Sequence, residues 1–259
     1  MTTKASATWN PEAYLRFKRL RLRPALDLIR ALPALPEGPI VDLGCGSGSV
    51  GEALAGFGRP LMGVDNSEEM LAEAQKTGVY DTLTQTDIST WSGETAPALI
   101  FSNAALQWVP NHADILPRLV NELAPGGVLA LQVPHQNHAP SHHIWKSLAE
   151  EFWPGRIDFD DGPSVLPPAN YYHLLGPLGD LSLWETEYYQ VLEPADTGHP
   201  VRRFTESTYG LPILQKLEPA EKERLIQAYE AVIGSAYPSG EDGTVLFPFR
   251  RMFMILTRS

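Results

Sequence analysis

The chain is 259 residues long, 43% hydrophobic and 20% charged, with a formal net charge of −11. That make-up suits a folded globular chain with room for one large domain and an insertion; the single cysteine, Cys45, excludes an intrachain disulfide and a thiolate-rich zinc site, and the acidic balance argues against a nucleic-acid surface. No apolar run approaches the ~18 residues of a bilayer span and the opening "MTTKASATWNP" has no apolar core like that of a signal peptide, so a cytoplasmic protein without membrane contact is expected.

The elements follow in chain order. Residues 12–22 predict an amphipathic helix with Tyr14, Phe17 and Leu20 toward the body, and the stretch "YLRFKRLRLRP" (14–24) gathers Arg16, Lys18, Arg19, Arg21 and Arg23, a dense positive cluster in an acidic chain. Arg23 precedes Pro24 and is expected to be extended, with Pro24 opening the next helix. From 38 to 134 buried strands alternate with helices. "PIVDLG" (39–44) is a strand, "SVGEALAGFG" a helix stopped by Gly58, and "PLMGVD" (60–65) a second strand. "NSEEMLAEAQKTG" reads as a helix capped by Asn66, with Glu69 three residues on and Gly78 as its stop. "YDTLTQTD" (80–87) and "PALIFSN" (97–103) are strands, "HADILPRLVNELAPGG" a helix, and "VLALQVP" (128–134) the next strand. Such alternation implies parallel strands with right-handed crossovers in a doubly wound α/β sheet, whose ligands bind outside the carboxyl ends of the strands.

After Pro134 the rhythm breaks. A helix around Ile144–Phe152, a strand over 182–192, the helix "PAEKERLIQAYEAVIGSAY" and a final strand over 249–258 are expected. Residues 135–180 and 193–247 read as insertions forming a largely helical cap, residues 1–37 as a helical lid, and 38–134 as the binding core.

"VDLGCGSGSVGEAL" carries the most information. A strand runs into Gly44, Gly46 and Gly48 and a helix follows, so the turn can take positive φ and admit a ligand close to the backbone. Gly46, Gly48 and Gly51 also fit a dinucleotide frame, but a lone match of that kind is weak. Asp42, at the strand end beside the glycines, suits a cofactor carrying an ammonium and a sulfonium and opposes a pyrophosphate. Asp65 and Asp87 fall at the next two strand ends, where the first suits ribose hydroxyls and the second an adenine amino group. Cys45 belongs to the cofactor turn as a small residue rather than as a nucleophile.

On "VDLGCGSG", "GVDNSEEMLAEA", "TDI", "FSNAALQWV" and "LAPGGVLAL", residues 39–133 resemble the class I S-adenosylmethionine-dependent methyltransferases. The resemblance implies a Rossmann-like, mostly parallel sheet with an antiparallel last strand. It places Gly44, Gly46 and Gly48 beside the methionine part of S-adenosylmethionine. It also places Asp65, Asn66 and Met70 around the ribose and adenine, Asp87 and Ile88 along the adenine edge, and Asn103, Ala104 and Leu106 beneath the sulfonium. Further flanks, among them "WNPEAYLRFKRLRLRPALDL", "PSHHIW", "WETEYYQVL" and "DGTVLFPFRRMFM", are similar to the trans-aconitate 2-methyltransferase family nearly end to end. One stretch departs from it: "VRRFTESTYGLP" (201–212), where Phe204, Ser207 and Thr208 replace the family's usual residues.

The resemblance implies esterification of one carboxylate of a small tricarboxylate. A carboxylate is ionised at pH 7 and needs no general base, so no catalytic acid, base or metal is assigned and the demand is for positioning, worth ~7–11 kcal/mol. Arginine suits that task because its planar fork matches a carboxylate at two points. Tyr14, Arg21, Arg23, Trp108, His135, His142 and Arg250 are the substrate candidates; Arg250 and Arg251 alternate faces, so at most one points inward. Another small-molecule or carrier-bound acceptor, a non-catalytic cofactor-binding regulator and a dehydrogenase are the competing readings. The oligomeric state is left open.

Overall fold

The computed structural model describes residues 22–136, 138–157, 159 and 164–259. Most of the helix expected over 12–22, with Tyr14 and Arg21, lies outside the described residues.

Five strands form in the expected order: β1 (Ile40–Leu43), β2 (Leu61–Asp65), β3 (Thr82–Gln85), β4 (Leu99–Asn103) and β5 (Val128–Pro134). They pair in parallel. β6 (Gly179–Leu192) and β7 (Val245–Arg258) complete one seven-stranded sheet of order β3-β2-β1-β4-β5-β7-β6, with β7 antiparallel to both of its neighbours. The order reverses between β1 and β4, the switch point at which such sheets hold ligands.

The buried strands are apolar on both faces, and each face carries its own helices. Val41, Leu43, Ile100, Leu131, Met252 and Met254 face α4 (His112–Glu122) and α6 (Pro168–Leu175). Ile40, Leu99, Phe101, Val128, Phe253 and Ile255 face α1 (helical over 22–30) and α2 (Gly51–Ala55). α3 (Glu68–Gln75) runs between β2 and β3. A separate core builds the cap from α5 (Pro140–Phe152), α7 (Pro200–Glu206), α8 (Leu211–Gln215) and α9 (Pro219–Ala236). At its centre Trp145 stacks on Tyr229 with ring centroids 4.2 Å apart, the Trp145 indole N–H donates to Thr205 Oγ1 at 2.9 Å and the Tyr229 hydroxyl donates to the Ser141 carbonyl at 2.8 Å. Buried rings with polar edges satisfied in this way fix one packing. Phe247 and Phe249 of β7 join this cap core, so the last two strands serve sheet and cap together. No helix among the described residues is long and apolar enough to cross a membrane.

Several local expectations shift. Arg23 is helical, not extended; its guanidinium lies 3.8 Å from Asp27 one turn on and 5.4 Å from the centre of the Tyr188 ring. Ser67 rather than Asn66 caps α3, accepting from the Met70 N–H at 3.3 Å, because the Asp65 carboxylate takes the Ser67 N–H and turns the chain one residue later. α6, expected within the cap, packs its Tyr171 and Leu175 into the sheet core instead.

Gly63 is a packing constraint in β2: a Cβ there would stand 2.6 Å from Leu83 Cδ2, 3.0 Å from the Tyr80 ring and 3.1 Å from Cys45 Sγ. Gly63→Ala is expected to lower the unfolding free energy by about 1–3 kcal/mol, the cost of overpacking a filled interior, read from chemical denaturation.

Candidate functional site

The glycine turn is strapped to the end of β2. Gly44 and Cys45 donate their N–H groups to the Val64 carbonyl at 2.8 and 2.9 Å, and Gly46 donates to Asp65 Oδ2 at 2.8 Å. The other oxygen of the same carboxylate accepts the Ser67 N–H at 2.9 Å. Asp65 thus ties the turn after β1 to the start of α3, and a carboxylate with about four lone-pair sites keeps acceptor capacity beyond these two bonds.

Beside this strap lies a cavity of about 590 Å³, within the range of small-ligand sites. Gly44, Gly46, Asp65, Asn66 and Met70 form one wall, Asp87, Ile88 and Ser89 a second, and Ala104, Ala105, Trp108, Val109 and Pro110 a third. Gly44 and Gly46 have φ of 79° and 55°. A Cβ on Gly44 would lie 2.3 Å from the Ala105 Cβ, whereas nothing lies within 4 Å of one on Gly46. The first glycine lets two walls meet and the second leaves open space at the backbone, as a close-lying ligand requires. Ala104 also takes positive φ, 55°, at the cavity wall, a conformation that costs a non-glycine residue energy and clusters at functional sites. Asp87 accepts the N–H and hydroxyl of Ser89 at 2.7 and 2.5 Å, and those bonds hold its carboxyl below the usual range. Trp108, 63% exposed, stands at the mouth.

The third wall is fixed by a residue that periodicity did not single out. His112, buried at the start of α4, places Nε2 2.8 Å from the Leu106 carbonyl and Nδ1 2.7 Å from the Tyr171 hydroxyl. Its ring N–H donates to the carbonyl, the hydroxyl donates to the other nitrogen, and burial pushes its pKa down, so the ring stays neutral. The short 3-10 turn Leu106–Trp108 is thereby anchored to α4 and α6.

Five of the expected cofactor residues lie outside the cavity wall. Asp42 is 2% exposed, and its carboxylate accepts the Tyr80 hydroxyl at 2.7 Å. Burial pushes that carboxyl up to about 7, against the Tyr80 hydrogen bond and aided by the charge of Asp65. Gly48 makes room for a ring: its Cβ would lie 3.0 Å from Tyr80, and Gly51 serves the same ring, with a Cβ 2.8 Å from it. Cys45 is buried beneath the turn and its thiol is pushed up to about 12, first by burial and then by Asp42 and Asp65, which leaves it inert. Leu106 belongs to the sheet core. Asn103 ends β4 with its Oδ1 buried and without a hydrogen-bond partner among the described residues.

The substrate candidates scatter. Trp108 lines the cavity, and Arg23 projects from α1 toward Tyr188 of β6. His135 follows β5 with its Nδ1 against the Glu185 carboxylate. His142 sits in the cap with its ring 4.4 Å from that of Tyr209, and burial pushes it down to about 4. Arg250 points outward, 49% exposed and 3.5 Å from Glu187. The inward member of the pair is Arg251, whose Nη1 lies 3.4 Å from Gln132 Oε1. Phe204 packs on Phe247 and Phe249 in the cap core, and Thr208 bonds the Phe204 and Thr205 carbonyls; with Ser207, they stand away from the cavity wall. No cluster of three metal-ligating side chains occurs among the described residues.

A methyltransferase-domain family profile matches residues 14–179. The chain is 38% identical over 256 residues to the trans-aconitate 2-methyltransferase of Azoarcus sp., spanning 97% of this chain and 99% of that one. It is 40% identical over 268 residues to the enzyme of the same name from Streptomyces avermitilis, spanning 97% of each. Among solved structures it superposes on the YcgJ protein of Bacillus subtilis with a TM-score of 0.58, at 14% identity over 91% of this chain and 97% of that one.

Because the Asp42 carboxyl titrates near 3.8 when unfolded and about 7 when folded, the folded chain binds a proton across that window that the unfolded chain has released. Stability therefore falls as pH rises through it. Asp42→Asn keeps an acceptor for Tyr80 and removes the titration, so its thermal midpoint relative to the parent is expected to be more favourable at pH 8 than at pH 5, by differential scanning calorimetry.

Proposed function

The chain belongs to the trans-aconitate 2-methyltransferase family, and from that membership we propose that it transfers the methyl group of S-adenosylmethionine to one carboxylate of a small tricarboxylate, trans-aconitate foremost. The observation that carries this reading is the chain-long identity of 38–40% to enzymes of that name, which spans sheet and cap alike. The cavity fits the cofactor: Gly46 leaves open backbone, and three carboxyl groups, Asp42, Asp65 and Asp87, lie in or beneath its walls. Bound there, S-adenosylmethionine supplies a methyl group on cationic sulfur, open to attack by an anionic oxygen.

The protein's own part is to hold two partners of opposite charge. Gly44, Gly46, Asp65, Asn66, Met70, Asp87, Ile88 and Ala104 are proposed to hold the cofactor, with Asp65 taking ribose hydroxyls and Asp87 the adenine edge. Asp42 acts from below, through Tyr80 and the glycine turn. An ionised acceptor needs no base, and none is assigned. Trp108 at the mouth and Arg23 on α1 are proposed to face the acceptor, together with Tyr14 and Arg21 of the N-terminal segment. The same reading keeps the protein in the cytoplasm and off nucleic acid, which the net charge of −11 supports.

Incubation with S-adenosylmethionine and a panel of di- and tricarboxylates, read by mass spectrometry, is expected to give a single methyl ester of trans-aconitate; turnover of none of these acids would sink the reading. Asp65→Ala removes the strap as well as an acceptor, and its affinity for S-adenosylhomocysteine is expected to fall by at least about 10-fold, since losing a charge-assisted hydrogen bond and leaving backbone donors unpaired each cost that much, by titration calorimetry.

A further inference from the structure

Beyond Ala104 the carboxyl rim of the sheet continues over β4, β5 and β7, and the side chains it presents there change character. Asn103 stands opposite Gln132, and Gln132 opposite Phe253. Arg251 is two residues from Phe253, so all three polar side chains share one face. That face is the one covered by α1, where the Tyr188 hydroxyl donates to Asp27 at 2.9 Å. The charges of Arg23 and Arg251 both reach the Tyr188 hydroxyl. The spot adjoins the cavity directly, for the Ala104 N–H of the cavity wall donates to the Gln132 carbonyl at 2.9 Å.

Two features single this spot out. Gln132 is 1% exposed, yet its Nε2 has no hydrogen-bond partner among the described residues, although its Oε1 faces the Arg251 guanidinium at 3.4 Å. A buried amide donor left without an acceptor costs about 1–3 kcal/mol, which calls for something to take its hydrogens. Next, the Arg251 guanidinium lies over a ring, its Cζ 4.5 Å from the centre of Phe249, while Phe204 of the cap meets that ring edge-on at 6.1 Å. An arginine braced by a ring loses less freedom on gripping a planar anion.

We propose that Gln132 and Arg251 form the subsite for an acceptor carboxylate other than the one methylated, with Phe249 and Phe204 bracing Arg251. The proposal rests on the carboxyl-methylation reading above. Gln132 Nε2 and the Arg251 fork donate N–H bonds to the two oxygens of one carboxylate. A carboxylate gripped there has its charge offset and its lone pairs occupied, so it is a poor nucleophile; the reacting carboxylate is a different one, left toward the cavity. Phe204, which departs from the family's usual residue, thereby acts on acceptor fit through Phe249 without touching the acceptor.

The test compares the parent, Arg251→Gln and Gln132→Glu, each loaded with S-adenosylhomocysteine, for binding of trans-aconitate and of a dicarboxylic acid lacking one carboxylate. Loss of a two-point charged contact is expected to weaken trans-aconitate binding and raise its KM by at least about 10-fold in both variants, with affinity for S-adenosylhomocysteine kept within about twofold. The penalty is expected to shrink for the dicarboxylic acid. Gln132→Glu replaces a donor by a like charge at nearly the same volume, so it carries the test if Arg251→Gln does not fold. Parent turnover of trans-aconitate with unchanged KM in the variants overturns the subsite and leaves the methylation reading standing. A parallel loss of cofactor affinity, or an equal penalty on both acids, also overturns it. A parent that binds no polycarboxylate overturns both.

Discussion

One carboxylate organises the cofactor end of this molecule. Asp65 receives a backbone N–H from the glycine turn through one oxygen and another from the start of α3 through the other. With the two N–H groups that the turn gives to Val64, this fixes three successive backbone donors of an otherwise permissive segment. A turn holding Gly44, Gly46 and Gly48 gives up much chain entropy on folding, and these bonds offset part of it. They also set the wall geometry, since Gly44 must sit against Ala105 for the first and third walls to meet.

Electrostatics divides the carboxyl rim into two provinces. Over β1, β2 and β3 the titratable groups are acids: Asp42, Asp65 and Asp87. Over β5, β7 and the facing α1 two arginines enter, Arg251 and Arg23, with Asp27 beside Arg23. A chain of net charge −11 that places cations here and acids there offers a cation and an anion adjoining seats. Burial tempers the acidic side. Burial pushes the Asp42 carboxyl up to about 7, which disfavours a third full negative charge beneath the turn.

Much of this was legible in the sequence. The run of buried strands and glycine-stopped helices specified the parallel sheet because period and punctuation agree at every step. The glycine turn, Asp65 and Asp87 were found because strand ends are where such sheets bind ligands. What escaped depends on contacts between segments distant in the chain. Gly48 looks like a ligand-facing position, but with Gly51 it clears space for Tyr80, which lies far along the chain beyond β2. Asp42 was read as facing the cofactor because nothing local reveals the hydroxyl that occupies it. Alternation told that Arg250 and Arg251 oppose each other; which one turns inward is decided by α1 packing on one face of β7. The shift of the α3 cap from Asn66 to Ser67 has the same origin, since Asp65 claims the intervening backbone. His112 carried no motif, and its role appears only when α4, α6 and the Leu106 turn come together.

The fourteen-residue ladder of β6 and β7 bears on how reactants come and go. Its lower half lies in the sheet core, through Phe253 and Ile255, and its upper half in the cap core, through Val245, Phe247 and Phe249. Those two strands act as a stiff beam common to both bodies. Rocking the cap away from the sheet would mean breaking main-chain bonds along that beam. Access to the cavity therefore lies at the rim, beside exposed side chains such as Trp108, rather than through a parting of cap and sheet.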